Sequence, residues 1–196
     1  MQTTTLSFAN IHNHGELFAN MLRARRELFI VHNKWNLPEA MGMEYDQYDT
    51  PASRWVVVHD DNGQVLAGNR LTPTTTKCGI YSYMIRDAQR GLLDTIPAHL
   101  LQEEAPVAPH IWESSRLFVS HDVPSSIRRR VHAQLIAQLG DSVRLLGATH
   151  CLTLLTATWP RWADRVGVKM KAMGPVMEID GIDNQVVLMD FSLTLH

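Results

Sequence analysis

A strand, helix and strand pattern in the second half of the chain constrains the fold more than any other feature. Residues 111–120 (IWESSRLFVS) and 149–157 (THCLTLLTA) are apolar and rich in strand-forming side chains. Between them, Pro124 opens a helical segment that we expect to reach about Leu146. Two strands joined by a long helix lie parallel in one sheet, with a right-handed crossover. The sequence therefore predicts an α/β fold.

The other elements alternate in the same way along the chain. Phe18, Leu22, Arg25 and Phe29 recur at helical spacing, and Asp60-Asp61-Asn62-Gly63 is a tight-turn signal. A mixed sheet with helices on both faces is the simplest packing of such elements. The remaining predictions are a helix over 14–31, a long loop over 32–53, hairpin strands over 54–59 and 64–71, a short helix over 86–96, a helix over 159–166, and a last antiparallel strand pair over 168–179 and 184–194.

The composition is that of an ordinary globular chain. Its 196 residues suit a single domain, 1–196, and we expect residues 1–53 to form a mobile N-terminal helix and acidic loop. No apolar run is long enough for a transmembrane helix, and the first ten residues do not resemble a secretory signal. Cys78 and Cys151 are interpreted as reduced thiols. We therefore expect a cytoplasmic protein with no membrane partner.

The charge is unevenly distributed. The net charge of −2 argues against a nucleic-acid partner, but residues 116–177 hold nine Lys/Arg against Asp122, Asp141 and Asp164. This basic region could attract an acidic partner, or it could simply be a solvated face. Zinc-ligand, P-loop and GxGxxG patterns are absent from the sequence, so neither a metal nor a cofactor is predicted.

Two groups of polar residues are candidates for chemistry. The loop carries Glu44, Asp46 and Asp49, whose repulsion requires cations such as Arg25 and Arg70. Carboxylates beside aromatic rings suit a cationic ligand, although a solvated acidic loop is the simpler alternative.

The second group is Glu113-Ser114-Ser115-Arg116, inside an apolar strand. Glu113 and Arg116 should point to opposite faces unless a bulge intervenes. They form either a buried ion pair or part of a site in which Glu113 acts as a base.

Taken together, these residues resemble the LuxI-type acyl-homoserine-lactone synthase family. The resemblance covers about residues 20–170. It rests on Arg25-x-x-x-Phe29 followed by Trp35, on Glu44-Tyr45-Asp46-Gln47-Tyr48-Asp49, on Gly68-Asn69-Arg70-Leu71 and on Trp112-Glu113-Ser114-Ser115-Arg116-Leu117.

The resemblance implies a fold and a reaction. The fold is a three-layer α/β/α sandwich similar to the GNAT acetyltransferases, with a mixed, centrally splayed sheet. The substrates are S-adenosylmethionine, which is not a cofactor here, and an acyl chain on acyl carrier protein or coenzyme A. The products are an N-acyl-homoserine lactone, methylthioadenosine and free carrier.

The resemblance also assigns roles to residues. The catalytic set is Glu113, Arg116, Asp46 and Arg70, with Glu113 as the base that acts through water. S-adenosylmethionine is bound by Arg25, Phe29, Trp35, Glu44, Asp46, Asp49 and Arg70. The acyl pocket includes Met84, Leu117, Thr153, Thr156 and Trp159, without a decision on which threonine faces the chain. Carrier docking falls to Arg128, Arg129, Arg130, Arg144, Arg161 and Lys169.

Two other functions compete with this one. A GNAT-type N-acyltransferase would use acyl-CoA on another amine, but residues 121–127 (HDVPSSI) lack the glycines of a pyrophosphate loop. A non-catalytic binder would hold S-adenosylmethionine or an acyl lipid without releasing methylthioadenosine. The sequence leaves the acyl chain, the donor and the oligomeric state open.

Overall fold

The structure of the protein, a computed structural model, describes residues 1–192. The chain divides into two compact units, which are described separately below. The first unit consists of residues 1–71 and 116–142, and the second consists of residues 72–115 and 143 onward. The single domain expected over 1–196 and the mobility expected of residues 1–53 stay predictions.

The first unit is built on three antiparallel strands and a helix. A buried apolar cluster that includes Met21 and Phe29 from the helical side and Trp55 and Val57 from the strands holds them together. Burial of this apolar surface is the main stabilising contribution within the unit. Its elements are strand β1 (Gln2–Leu6), helix α1 (Leu17–Arg26), the π-helical segment Glu27–His32, the short strands β2 (Glu39–Ala40) and β3 (Met43–Glu44), and strands β4 (Arg54–His59) and β5 (Val65–Pro73).

The hairpin of β4 and β5 was predicted correctly because its turn has a clear signature. The Oδ1 atom of Asp60 accepts hydrogen bonds from the amides of Asn62 and Gln64, at 2.9 and 2.8 Å. Gly63 has a φ of +80°, which glycine adopts at no steric cost. Strand β1, which pairs with β4, was missed because its run of threonines shows no hydrophobic alternation.

The second unit contains a mixed sheet. Strand β6 (Ile111–Val119) and helix α3 (Ser125–Leu145) contribute residues to both units, as does β5, whose last two residues belong to the second unit. The other elements of the second unit are helix α2 (Met84–Gln89), strand β7 (His150–Thr156), helix α4 (Trp159–Val166), and strands β8 (Lys169–Ala172), β9 (Met177–Ile179) and β10 (Ile182–Asp190). Strand β7 runs parallel to β6 and antiparallel to β10, which also pairs with β8 and β9. The predicted parallel pair and the mixed α/β fold are confirmed.

Several predicted boundaries differ from the structure. The helix expected over 14–31 is α-helical only over 17–26 and continues as the π-helical segment. The loop expected over 32–53 contains the β2–β3 hairpin, whose turn at Met41 and Gly42 has positive φ at both residues.

In the second unit, two predicted elements differ from the structure. The helix expected over 86–96 is helical only over 84–89 and is followed by Gly91, whose φ is +73°. The last strand pair is three strands, because Asp180 and Gly181 form a tight turn between β9 and β10. Residues 193 and 194 of the predicted last strand lie outside the described residues.

None of the helices in the described part of the chain combines the length and hydropathy needed to cross a bilayer.

Candidate active site

Six buried charged residues meet in the first unit. Helix α1 carries Arg25, strand β5 carries Arg70 and strand β6 carries Arg116. The carboxylates come from β3 and the loop that follows it. Side-chain exposure ranges from 0% to 12% across the six residues, which we call the charged cluster: Arg25, Arg70, Arg116, Glu44, Asp46 and Asp49.

Arg25 binds two carboxylates through two edges of its planar guanidinium group. Its Nε atom donates to Oε2 of Glu44 at 2.5 Å, and its Nη1 and Nη2 atoms donate to the two oxygens of Asp49 at 2.8 and 3.0 Å. This use of the whole guanidinium fork is specific to arginine, because a lysine cannot make the paired contact. The prediction that Arg25 holds the acidic loop is confirmed.

The other two arginines complete the cluster. Arg70 donates through Nη1 to Asp46 and lies 3.2 Å from Oδ2 of Asp49. Arg116 donates to Oε1 of Glu44 at 3.2 Å and to Oδ2 of Asp46 at 2.9 Å. The prediction that Arg70 holds the loop is therefore confirmed as well. Arg116 binds the loop too, through Glu44 and Asp46.

The backbone at Arg116 explains how a charged side chain in a strand reaches this loop. Its φ is +53°, a left-handed conformation that is rare for a residue other than glycine. Such a conformation costs of order 1–3 kcal/mol and persists only where surrounding contacts hold it. This left-handed residue is a local irregularity in β6, where a regular strand was the expectation unless a bulge intervened.

The acidic loop is also closed on itself. Oδ1 of Asp46 accepts the amide of Tyr48, and Oδ2 of Asp49 accepts the amide of Asp46, each at 2.9 Å. The Trp55 indole donates to Oδ1 of Asp49 at 2.9 Å, and the Arg70 guanidinium lies 5.6 Å from the centre of the Tyr48 ring. Sequence reasoning missed Trp55 as part of the site, because it lies in an apolar strand with no charged signal of its own.

Electrostatically, the cluster is balanced, with three cations and three anions. Burial opposes the ionisation of Asp46, but Arg70 and Arg116 outweigh this effect and hold its pKa below the ordinary value. Burial likewise opposes the ionisation of Asp49, and Arg70 and Arg25 lower its pKa far below the ordinary value. Both carboxylates are therefore charged throughout the neutral range.

These lowered pKa values predict a loss of stability in acid. A carboxylate whose pKa is lower in the folded state contributes stability that is complete above its unfolded pKa of about 4. That contribution disappears as the pH falls through the folded pKa. We expect the urea midpoint of unfolding to be constant between pH 5 and 7 and to fall steadily below about pH 4.

Asp49→Asn is the control for this effect. It should start from a lower midpoint and show a shallower decline between pH 4 and 2.5, because one titrating group has been removed. Equal slopes for the two proteins would contradict the contribution assigned to Asp49.

Aromatic rings lie next to the charged cluster. Phe29 stacks on Trp35 with ring centres 5.1 Å apart and an angle of 2°. The Arg116 guanidinium lies over the Phe29 ring at 5.7 Å, and the Phe118 ring meets Phe29 edge-on at 5.9 Å. Phe29 is buried, whereas Trp35 is 37% exposed. A partly exposed aromatic surface thus lies beside the charged cluster.

Glu113 lies in the second unit and is fully buried. Its Oε1 accepts the amide of Ile85 at 2.7 Å and its Oε2 accepts the amide of Met84 at 3.2 Å. Both donors belong to the first turn of α2. Sequence reasoning missed them because backbone amides leave no trace in residue types. The role of Glu113 as a base stays a prediction.

The candidate acyl-pocket residues differ in burial. Thr153 is 1% exposed, whereas Thr156 is exposed and its hydroxyl lies 2.9 Å from that of Thr158. The half-buried Trp159 donates its indole N–H to Oε1 of Gln185 at 2.7 Å. Met84 is buried in the second unit, and Leu117 is half-buried in the first.

The candidate docking residues lie in both units. In the first unit Arg129 and Arg130 are exposed on α3, whereas Arg128 donates to the carbonyl oxygens of Ser120 and His121. In the second unit, Arg144 lies half-buried in the last turn of α3, and the exposed Arg161 and Lys169 lie on α4 and β8.

Comparison with known proteins places the chain in a family. The model of the family described as autoinducer synthase matches residues 9–192. An acyl-homoserine-lactone synthase from Acinetobacter nosocomialis is 29% identical over 191 residues, which cover 93% of this chain and 96% of the relative. TofI, solved in a ternary complex with an inhibitor and MTA, has a TM-score of 0.76 and 26% identity, with 97% of this chain and 92% of that chain covered.

Other solved structures share the fold at lower identity. The CoA-dependent acyl-homoserine lactone synthase BjaI, solved with SAM and isopentyl-CoA, has a TM-score of 0.77 and 21% identity, with 95% of this chain and 82% of that chain covered. A putative N-acetyltransferase from Lactobacillus plantarum has a TM-score of 0.57 and 13% identity, with 97% and 99% covered. The mixed α/β fold is thus GNAT-like, as predicted. The chain belongs to the autoinducer synthase family and is an acyl-homoserine-lactone synthase, an acyltransferase.

Proposed function

We propose that this synthase makes an N-acyl-L-homoserine lactone from S-adenosylmethionine and an acyl chain carried by acyl carrier protein. The methionine nitrogen attacks the thioester carbonyl carbon, an N–C bond forms, and the C–S bond breaks to release the carrier thiol. The methionine carboxylate oxygen then attacks its own γ-carbon. The C–S bond of the sulfonium breaks there, and neutral methylthioadenosine leaves.

The charged cluster is the observation that carries the proposal for S-adenosylmethionine. This substrate presents a sulfonium and an ammonium cation together with a carboxylate and an adenine ring. Buried arginines and carboxylates can exchange an internal partner for a ligand group of the same charge, so that the balance of the cluster is kept. The stacked Phe29 and Trp35 supply the aromatic surface for the ring. The SAM and MTA bound by BjaI and TofI support this assignment.

We assign roles within the reaction on the same basis. Asp46 and Asp49 face the positive groups of the substrate with help from Glu44, and Arg70 and Arg25 hold the loop and orient the substrate carboxylate. Glu113 accepts, through water, the proton that the ammonium group must lose so that its nitrogen can attack the thioester. Arg116 fixes Glu44 and Asp46.

The acyl chain is assigned to apolar surface near strand β7. Thr153 is the more suitable of the two threonines for contact with a buried chain, since its side chain is buried while that of Thr156 is exposed. Met84, Leu117 and Trp159 are the other proposed walls. Flexible methionine side chains suit a flexible chain. Both cysteines are free, which agrees with the cytoplasm as the place of the reaction.

A test of the donor uses the exposed arginines of α3. Acyl carrier protein is acidic, so replacing both Arg129 and Arg130 by Glu should raise KM for the acyl-carrier substrate by about 10-fold or more. The KM for S-adenosylmethionine should change by less than about 2-fold. Lys77→Glu, also exposed but outside the proposed docking set, is the control and should change neither KM. An unchanged carrier KM would remove Arg129 and Arg130 from the docking surface.

Product analysis tests the reaction itself. The purified protein is incubated with S-adenosylmethionine and either acyl carrier thioesters or acyl-CoA thioesters of matched chain length, and the products are identified by mass spectrometry. The proposal expects an acyl-homoserine lactone and methylthioadenosine in equal amounts, formed faster with the carrier. A faster reaction with acyl-CoA would show that acyl-CoA is the donor, and it would leave the rest of the proposed reaction unchanged. Acyl transfer to another amine without methylthioadenosine would support the GNAT-type alternative.

A further inference from the structure

Gly68 lies in the interior of strand β5. Glycine is unfavourable at such a position because it loses more backbone entropy on folding than other residues and has no side chain to pack. Its φ lies outside the left-handed range, so backbone conformation does not require glycine here. A methyl group at this position would lie 2.7 Å from Cε1 and 3.1 Å from Cζ of Phe118. The ring of Phe118 therefore occupies the space that any side chain at position 68 would need.

Phe118 in turn contacts the aromatic pair of the site. Its ring is 3% exposed and meets Phe29 edge-on, and Phe29 stacks on Trp35. The amide of Trp35 also donates to the carbonyl oxygen of Phe29 at 2.9 Å. An unbroken series of contacts thus runs from the backbone of Gly68 to a partly exposed indole. Close-packed rings transmit a displacement rather than absorb it.

We propose that Gly68 is a positioning residue for the aromatic surface that receives the adenine ring. By leaving room for Phe118, it sets the position of Phe29 and, through Phe29, that of Trp35. The inference rests on the proposed function, in which S-adenosylmethionine binds at this surface. It adds a residue that does not touch the ligand but determines how tightly methylthioadenosine and S-adenosylmethionine bind.

Gly68→Ala tests the proposal. The added methyl group should displace Phe118 and weaken the binding of methylthioadenosine, measured by calorimetry, by about 3- to 10-fold. The KM for S-adenosylmethionine should rise by a similar factor. The KM for the acyl donor should rise by a smaller factor, because the ring contacts that the methyl group disturbs belong to the surface assigned to the adenine ring.

Two further variants separate positioning from general destabilisation. The pair Gly68→Ala with Phe118→Leu exchanges volume, and it should bind methylthioadenosine more tightly than Gly68→Ala alone. Val56→Ala is the control: Val56 is fully buried on β4 and points to the opposite face from Gly68, since Val57 is the cross-strand neighbour of Gly68. It should lower the melting temperature without changing affinity.

The outcomes distinguish this inference from the proposed function. If the wild-type protein does not bind methylthioadenosine, the proposed function fails and the inference with it. If the wild-type protein binds and Gly68→Ala binds equally well, only the inference is overturned. Should Gly68→Ala fail to fold, Phe118→Leu alone is measured, and an affinity equal to that of the wild type would overturn the inference.

Discussion

Replacing Arg70 by Met should lower the free energy of unfolding by about 3–5 kcal/mol, the cost of leaving buried charges without their partner. Arg70 is fully buried and pairs with Asp46 and Asp49, so its loss leaves the charged cluster with one excess negative charge. Methionine fills much of the same volume, and the effect therefore reports on charge rather than on a cavity. Urea unfolding at pH 7 measures it.

Two variants show whether charge balance is the cause. Arg70→Met combined with Asp46→Asn restores the balance and should recover part of the lost stability. Arg23→Met removes an arginine from the exposed ion pair with Glu16 and should change stability by less than about 0.5 kcal/mol. A loss for Arg70→Met no larger than for Arg23→Met would contradict the importance of the cluster.

The members of the charged cluster could be predicted from sequence because buried arginines and clustered carboxylates need one another. Three carboxylates within six residues repel unless cations approach, so nearby cations were expected, with Arg25 and Arg70 as candidates. The partners of Arg116 could not be chosen in this way. Its contacts with Glu44 and Asp46 span 72 and 70 residues of chain, and they depend on a positive φ that residue types do not indicate.

Helices and strands that have strong local sequence signals were predicted correctly, whereas elements without such signals were missed. The β4–β5 turn has Asp60 and Gly63 at the positions that a tight turn requires, and α4 ends at Gly167 with a φ of +69°. By contrast, β1 and the β2–β3 hairpin are short and polar or exposed, so hydrophobic periodicity does not reveal them. Their formation depends on tertiary pairing rather than on local preference.

The role of Gly68 could not be predicted from the sequence, because that role also depends on tertiary packing. A glycine in a strand indicates a close approach but not what approaches, and Phe118 lies 50 positions further along the chain. Packing of one ring against one backbone position is a property of the assembled unit. The same holds for Trp55, whose indole N–H completes the contacts of Asp49.

Glu113→Gln should lower kcat by about 10²- to 10⁴-fold if Glu113 is the general base. Glutamine keeps the shape and one acceptor oxygen but cannot take up a proton at neutral pH. It also presents an NH₂ group to one of the amides of Met84 and Ile85, so some loss of stability accompanies the change. The measurement is single-turnover acyl transfer at saturating substrates, normalised to the folded fraction.

A second buried carboxylate in the same unit provides the matched control. Asp87 on α2 is fully buried and accepts the amide and the hydroxyl of Ser82 at 2.8 and 2.7 Å. Asp87→Asn should therefore disturb the local structure much as Glu113→Gln does, but it should leave the rate per folded molecule within about 3-fold. Comparing the two variants separates a loss of catalytic rate from a loss of folding stability.

The ratio of the two effects decides between a base and a structural anchor. A base requires Glu113→Gln to lower the rate per folded molecule far more than Asp87→Asn does, while S-adenosylmethionine binds normally. An anchor requires equal rate losses for Glu113→Gln and Asp87→Asn. Because Glu113 already accepts two backbone amides through both carboxylate oxygens, it can act as a base only through the remaining lone pairs. Glu113→Asp tests this restriction: it keeps the charge but shortens the side chain by one methylene, and it should lose both the α2 contacts and most of the rate.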